Sequence, residues 1–228
     1  MSAGQLLRHL DWMATGRVKV VSLLDLVDTD DDVDSIALTF DDGLTNFGEV
    51  AAPLLVERGL PAIVFISPAH VGTSNTWDDA NRPTIPRLSL LSWDEIRALS
   101  QQGFEFGGHG NTHIALSGLS QSVLESEVAE CSKRITAEVG RKPRAFAYPY
   151  GKFDEQAIAA VAELFDTACT TQLRPVASND SRHALPRLDM YYFKDVSIKD
   201  MWGTRAFAPY VRLRAAGRAL RSSLGRKL

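Results

Sequence analysis

Apolar, β-branched runs recur at residues 36–40, 62–66, 104–107, 145–148 and 166–170, with a further candidate at 185–190, and each has the length of a buried strand. Between them the apolar positions shift to three- and four-residue spacing over 47–58, 93–102, 120–139 and 154–164, which predicts amphipathic helices. Ser or Asp opens several of these segments and Gly closes them, and Ser92 with Glu95 makes a capping box. A helix over 4–15 and a Val-rich run over 18–24 come first, followed by an acidic turn over 28–34 that reads as a solvated loop. Regular alternation of strand and helix implies βαβ crossovers and a parallel sheet, curling toward a barrel. Residues 67–91 are the longest irregular stretch; they carry three Pro and Trp77 and are the candidate substrate lid.

Composition narrows the class. With 228 residues, 45% hydrophobic and 23% charged, the chain is expected to form a single globular domain over 1–228, which excludes collagen-like and disordered chains. Arg8, His9, Asp11, Arg17 and Lys19 interrupt the start of the chain, so neither a secretion signal nor a membrane anchor is expected. Cys131 and Cys169 are too few for a disulfide framework and too far apart for a zinc ribbon, and the expected location is a reducing cytoplasm. The net charge is -3, yet Arg212, Arg214, Arg218, Arg221, Arg226 and Lys227 gather at the end with no acid among them. The remainder is therefore acidic, which argues against nucleic acid as a partner. In the same tail Leu213, Ala216, Leu220, Leu224 and Leu228 form a narrow apolar stripe, weakened as a helix by Gly217 and Gly225. The stripe either packs on the barrel or makes a peripheral contact with the inner face of an anionic membrane through residues 210–228.

Active-site groups of parallel α/β barrels sit at the carboxyl ends of strands. Asp41 and Asp42 close one strand at an Asp-Gly turn, either as a simple cap or as paired carboxylates that require a cation or a shared proton. His109 and His113, four apart after another strand, can point the same way. Alone the pair is commonplace; with Asp42 it supplies a His, His, carboxylate set that leaves a coordination position open. Tyr148, Pro149 and Tyr150 form an aromatic turn after a third strand, and Arg187 and Asp189 lie after a late one. His70 follows a strand and is expected at the mouth as a substrate contact, with Tyr148 and Pro149 beside it. His9 reads as a surface side chain, Trp93 as packing, and Trp77 as packing or a sugar platform.

The strings TFDDG, FEFGGH followed by HxxxH, and FAYPYG, in this order over about residues 35 to 190, resemble the polysaccharide deacetylases, the NodB homology domain of carbohydrate esterase family four. The resemblance implies a distorted (β/α)7 barrel and metal-dependent hydrolysis of an N-acetyl or O-acetyl group on a carbohydrate, most often N-acetylglucosamine. It implies Asp41 as general base, Asp42, His109 and His113 as ligands of one divalent ion, usually zinc, and the Tyr150 N–H as oxyanion donor. Ala147 stands where many members have an Arg, leaving Arg187 as the candidate partner of the base. Gly110 stands where Ser or Thr usually follows the first ligand His. The late general-acid His is not recognisable, so His183 or Asp41 itself is expected to return the proton. Two alternatives stay open, an amidohydrolase acting on a non-sugar amide or cyclic imide and a catalytically silent sugar-binding relative.

Overall fold

The computed structural model describes residues 2–28, 34–78, 86–193 and 198–223. The predicted alternation is present: α1 (Ala3–Met13), β1 (Lys19–Val21), α2 (Leu23–Asp28), β2 (Ser35–Ala37), β3 (Thr39–Phe40), α3 (Ala52–Glu57), β4 (Ile63–Ile66), α4 (Trp93–Gln101), β5 (Glu105–Gly108), α5 (Gln121–Val139), β6 (Ala145–Ala147), α6 (Glu155–Ala162), β7 (Thr167–Cys169), α7 (Ile198–Met201) and α8 (Phe207–Ser223). Strands β3 to β7 form a five-stranded parallel sheet in sequence order, and β1 pairs with β2 in a second parallel ribbon. The five strands curl into a half-barrel with helices around it, an α/β fold of the distorted barrel type.

Local chemistry explains most boundaries. Ser2 with Gln5 and Ser92 with Glu95 both close capping boxes, and Asp154 caps α6 by accepting from the Ala157 N–H at 2.9 Å. α5 stops at Gly140, whose φ of 75° no β-carbon obstructs. The helix expected over 47–58 opens instead as a π turn at Phe47–Ala51 before α3. Pro53 has no N–H to return to the Glu49 carbonyl, so the regular ladder cannot begin earlier. The strand expected over 185–190 shrinks to one parallel bridge between Leu185 and Cys169, followed by a 3₁₀ turn at Met190–Phe193. Pro186 cannot donate to a ladder, and the Arg187 N–H goes to the Gln172 carbonyl at 2.9 Å. His9, expected on the surface, is 7% exposed on the inward face of α1 beside Leu10 and Met13.

Two apolar layers hold the sheet. Val64, Ile66, Phe106 and Phe146 point outward against the helices, while Ile63, Phe65, Ala145, Ala147 and Cys169 fill the interior. Phe65 is fully buried, and burial of such a ring stabilises by about 1.5–3 kcal/mol. Gly107 makes room for it: a β-carbon there would stand 2.6 Å from the ring. Phe65 thus forms the floor of the barrel mouth, with the Arg187 guanidinium 5.8 Å above its centroid. A cleft of about 810 Å³ runs between residues 35–41 and residues 185–190, where the barrel is incompletely closed.

α8 turns Val211, 3% exposed, toward the body, while Leu213 and Leu220 are 71% and 61% exposed. The stripe containing them therefore faces solvent rather than the barrel; its continuation at Leu224 and Leu228 lies outside the described residues. Among the described residues, no helix is long and apolar enough to cross a membrane.

Candidate metal and catalytic site

The carboxyl ends of β3 and β5 bring Asp42, His109 and His113 together, with ligand-capable atoms within 4.8 Å of one another. His109 extends the β5 ladder through its N–H to the Ile66 carbonyl at 2.9 Å, which places its ring over the barrel mouth. Its Nδ1 lies 2.6 Å from the Ala147 carbonyl. A carbonyl only accepts, so Nδ1 carries the proton and Nε2 presents a lone pair. That lone pair faces Asp42 Oδ1 at 3.5 Å, and His113 Nε2 faces the same oxygen at 3.1 Å. The Tyr150 hydroxyl, 3.2 Å from His113 Nδ1, can fix the second ring in the same tautomer.

Two imidazole lone pairs converging on a carboxylate oxygen repel it unless a proton or a cation lies between them. The donor set and the outer hydrogen bonds that each Nδ1 donates both suit a divalent ion, since ligand histidines donate their second N–H to a fixed acceptor. The titration behaviour has the same origin. Burial disfavours the charge on Asp42, but when no ion is held and protons occupy the two Nε2 atoms instead, the hydrogen bonds from His109 and His113 outweigh it and hold the carboxyl well below the usual range. Burial also opposes charge on His109, and Asp42 and Asp41 together outweigh it and push the pKa up. Protons and a divalent ion thus compete for the same lone pairs.

Beside this cluster Asp41 is clasped by Arg187 in a two-pronged pair, with Nη1 to Oδ1 at 2.6 Å and Nη2 to Oδ2 at 2.8 Å. Arg187 is itself oriented by Nε donating to the Thr170 carbonyl at 2.9 Å and Nη1 to Thr39 Oγ1 at 3.2 Å. Burial would raise the Asp41 pKa, and the guanidinium more than offsets it, so the carboxyl is held below its ordinary value. The structure therefore brings Arg187 to Asp41 from beyond β7, while the Ala147 side chain lies fully buried in the barrel interior.

The other predicted site residues divide. Tyr150 stands at the mouth with a left-handed φ of 59°, and Asp42 and His113 share that conformation at 73° and 59°. Left-handed non-glycine residues cost on the order of 1 kcal/mol or more each, and their gathering here shows a backbone held in place by its surroundings. Tyr148 does not reach the mouth: it is fully buried, stacks on Phe153 and donates its hydroxyl to the His183 carbonyl at 3.0 Å, so a substrate contact through its side chain is corrected to a core role. Pro149 is buried beneath the turn at Gly110. His70 is committed elsewhere, its Nε2 donating to the Thr112 carbonyl at 3.2 Å, which makes it a brace of the His109–His113 loop. His183 bonds the Phe165 carbonyl at 2.9 Å, before the start of β7. That is the amino end of the barrel, so it cannot reach the mouth as a general acid.

Trp77 stacks on His113 at 4.3 Å between centroids, with His70 against its edge at 4.7 Å, so the irregular stretch after β4 covers one side of the site. Residues 79–85 of that stretch lie outside the described residues. Trp93 packs on the core at the start of α4. Sequence reasoning missed Glu127, a buried carboxylate of α5 that accepts from the Asn111 and Thr112 N–H groups at 2.9 Å each. The available signal was its position in register with Leu124, Val128 and Cys131 on the buried helix face.

Comparison with known proteins identifies the family. The family model described as Polysaccharide deacetylase matches residues 28–166. The putative polysaccharide deacetylase YxkH of Bacillus subtilis is 23% identical over 79% of this chain and 62% of its own length. The poly-beta-1,6-N-acetyl-D-glucosamine N-deacetylase of Staphylococcus epidermidis is 24% identical over 68% of this chain and 54% of its own. The chain thus spans only about half to three-fifths of these curated relatives. Among solved structures, IcaB from Ammonifex degensii superposes with a TM-score of 0.69 at 20% identity, covering 94% of this chain and 89% of that one. The Streptococcus pyogenes deacetylase PplD in complex with acetate gives 0.69 at 18% identity, covering 82% and 80%. The family model covers more than half of the chain and the fold agrees with it, so the chain belongs to the polysaccharide deacetylase family.

Proposed function

We propose that this protein hydrolyses the N-acetyl group of an N-acetylhexosamine-containing glycan or glycan precursor, with one divalent ion, zinc, held by Asp42, His109 and His113. The observation that carries this reading is the convergence of both histidine Nε2 atoms on Asp42 beside an Asp41 clasped by Arg187. When bound, the ion polarises the acetyl carbonyl and acidifies the attacking water. Asp41, kept ionised by Arg187, takes the proton from that water as it attacks. The Tyr150 N–H, presented by its left-handed backbone, donates to the developing oxyanion, a contribution of about 3 kcal/mol for a well-placed donor. Asp41 then returns the proton to the departing sugar nitrogen, because the other candidate, His183, is bonded at the far end of the barrel. The names of the staphylococcal relatives support testing β-1,6-linked N-acetylglucosamine polymers first.

Acetate release across free, lipid-linked and polymeric N-acetylated sugars tests the reading, with an O-acetylated sugar and a simple amide for comparison. Release from an N-acetylhexosamine that stops with chelator supports it. Activity confined to the simple amide, or none on any compound by metal-loaded protein, overturns it.

We also propose that α8 rests on an anionic membrane surface. In support, Leu213 and Leu220 are exposed on the same helix as the exposed Arg212 and Arg214.

A further inference from the structure

A carboxylate withdrawn from water must be held by donors that replace its hydration. Glu127 is 7% exposed, and among the described residues its donors come from one short stretch of chain. Oε2 accepts from the backbone N–H groups of Asn111 and Thr112, each at 2.9 Å, and Oε1 accepts from Thr112 Oγ1 at 2.7 Å. That stretch joins His109 to His113. It turns at Gly110, φ 69°, which a glycine takes freely, and at His113, whose left-handed φ of 59° a non-glycine residue keeps only with support from its surroundings. The opposite side is braced by the Ala69 N–H on the Asn111 carbonyl at 3.0 Å and by His70 on the Thr112 carbonyl. Gly110 is part of the same fit, since a β-carbon there would stand 3.3 Å from Glu127 Oε2.

We propose that Glu127 is a positioning residue of the metal centre: it fixes the turn of the His109–His113 loop so that both Nε2 atoms face Asp42 before an ion arrives. The inference rests on the reading of Asp42, His109 and His113 as ligands. Glu127 is outside the Asp42, His109 and His113 cluster; it acts through the backbone that carries His113. What the loop needs is acceptor geometry. A glutamine can supply it, taking both N–H groups on Oε1 and donating its amide to Thr112 Oγ1. An alanine cannot, and leaves two backbone N–H groups without their acceptor.

The test uses the full chain stripped of metal, titrated with zinc and with cobalt against a chromophoric chelator, with the cobalt visible spectrum reporting ligand geometry and circular dichroism reporting the fold. Glu127→Ala is expected to weaken both metals by about 10- to 100-fold, as losses of outer hydrogen bonds to metal ligands do, and to change the cobalt bands. Glu127→Gln is expected to stay within about threefold of the parent. Val128→Ala, which trims the neighbouring core residue, is expected to lower the melting temperature and leave metal affinity unchanged, which separates positioning from general stability. Folded Glu127→Ala with parental affinity and spectrum overturns the proposal, and so does a Gln variant as weak as Ala. If the Ala variant fails to fold, Glu127→Asp, with its carboxylate drawn back, and Thr112→Val replace it; parental affinity in both overturns the proposal. A parent chain that binds neither metal defeats the ligand reading itself, an outcome distinct from a parent that binds and variants that bind equally well.

Discussion

Removing the Arg187 guanidinium should change the pH at which the enzyme works. Asp41 and Arg187 meet through two contacts at 2.6 and 2.8 Å, with side-chain exposures of 34% and 16%. An opposite charge this close lowers a carboxyl pKa by about 1 to 3, and each pKa unit corresponds to about 1.4 kcal/mol. Partial exposure of Asp41 screens the pair, so the lower half of that range applies. The sign follows from the direction of the shift. Arg187 holds the Asp41 pKa below its ordinary value, so the competent anion is present above that pKa and is lost as pH falls through it. In Arg187→Ala, burial and the adjacent Asp42 charge are opposed only by the smaller influence of His109, and the pKa rises. The acid limb of the kcat/KM profile should therefore move up by about 1 to 2 pH units, with kcat at neutral pH falling more than KM rises. Arg187→Lys, a single-point cation without the fork, should fall between. Profiles of acetate release that extend down to about pH 3 and up to about pH 9 bracket the acid limb of both parent and variant, because the parent limb lies below the ordinary carboxylate value. An unmoved acid limb in the Ala variant, or a pure KM effect, would refute the assignment of Arg187 as the partner of the base.

Asp41→Asn should keep its bound ion, measured by elemental analysis, while kcat falls by at least about 100-fold, as loss of a general base requires; near-normal turnover contradicts the role. His183→Ala should leave kcat within about twofold, since its ring bonds Phe165 at the amino end of the barrel, and a 100-fold loss would restore it as general acid. Removal of residues 210–228 should abolish co-sedimentation with anionic vesicles, and binding should weaken with salt. Binding that survives truncation discards the α8 proposal.

Much of the architecture is local chemistry and was legible as such. Caps at Ser92 and Asp154 and the stop at Gly140 mark helix ends that depend on neighbouring residues alone. The convergence of Asp42, His109 and His113 was legible because these residues lie at strand ends, where the direction of the chain already determines which way they face. The misses are tertiary. Tyr148 and Tyr150 stand two residues apart on one turn, yet one enters the core and the other the mouth; no periodicity distinguishes them. Residues 185–190 have a strand's composition, but Pro186 and the Arg187 N–H bond to Gln172 pull the backbone from the ladder. His9 and Glu127 are polar residues on inward helix faces; Glu127 shares the register of Leu124, Val128 and Cys131, but which partners that face would offer a polar group is set by the tertiary packing.

The most direct test of the central claim strips the protein with chelator, reloads it with zinc, and measures acetate released from N-acetylglucosamine oligomers alongside metal content. The account predicts no release from stripped protein, recovery at one ion per chain, and loss of both metal and activity in a His109→Ala, His113→Ala double variant. Undiminished release from stripped protein, or full metal occupancy in the double variant, would contradict it.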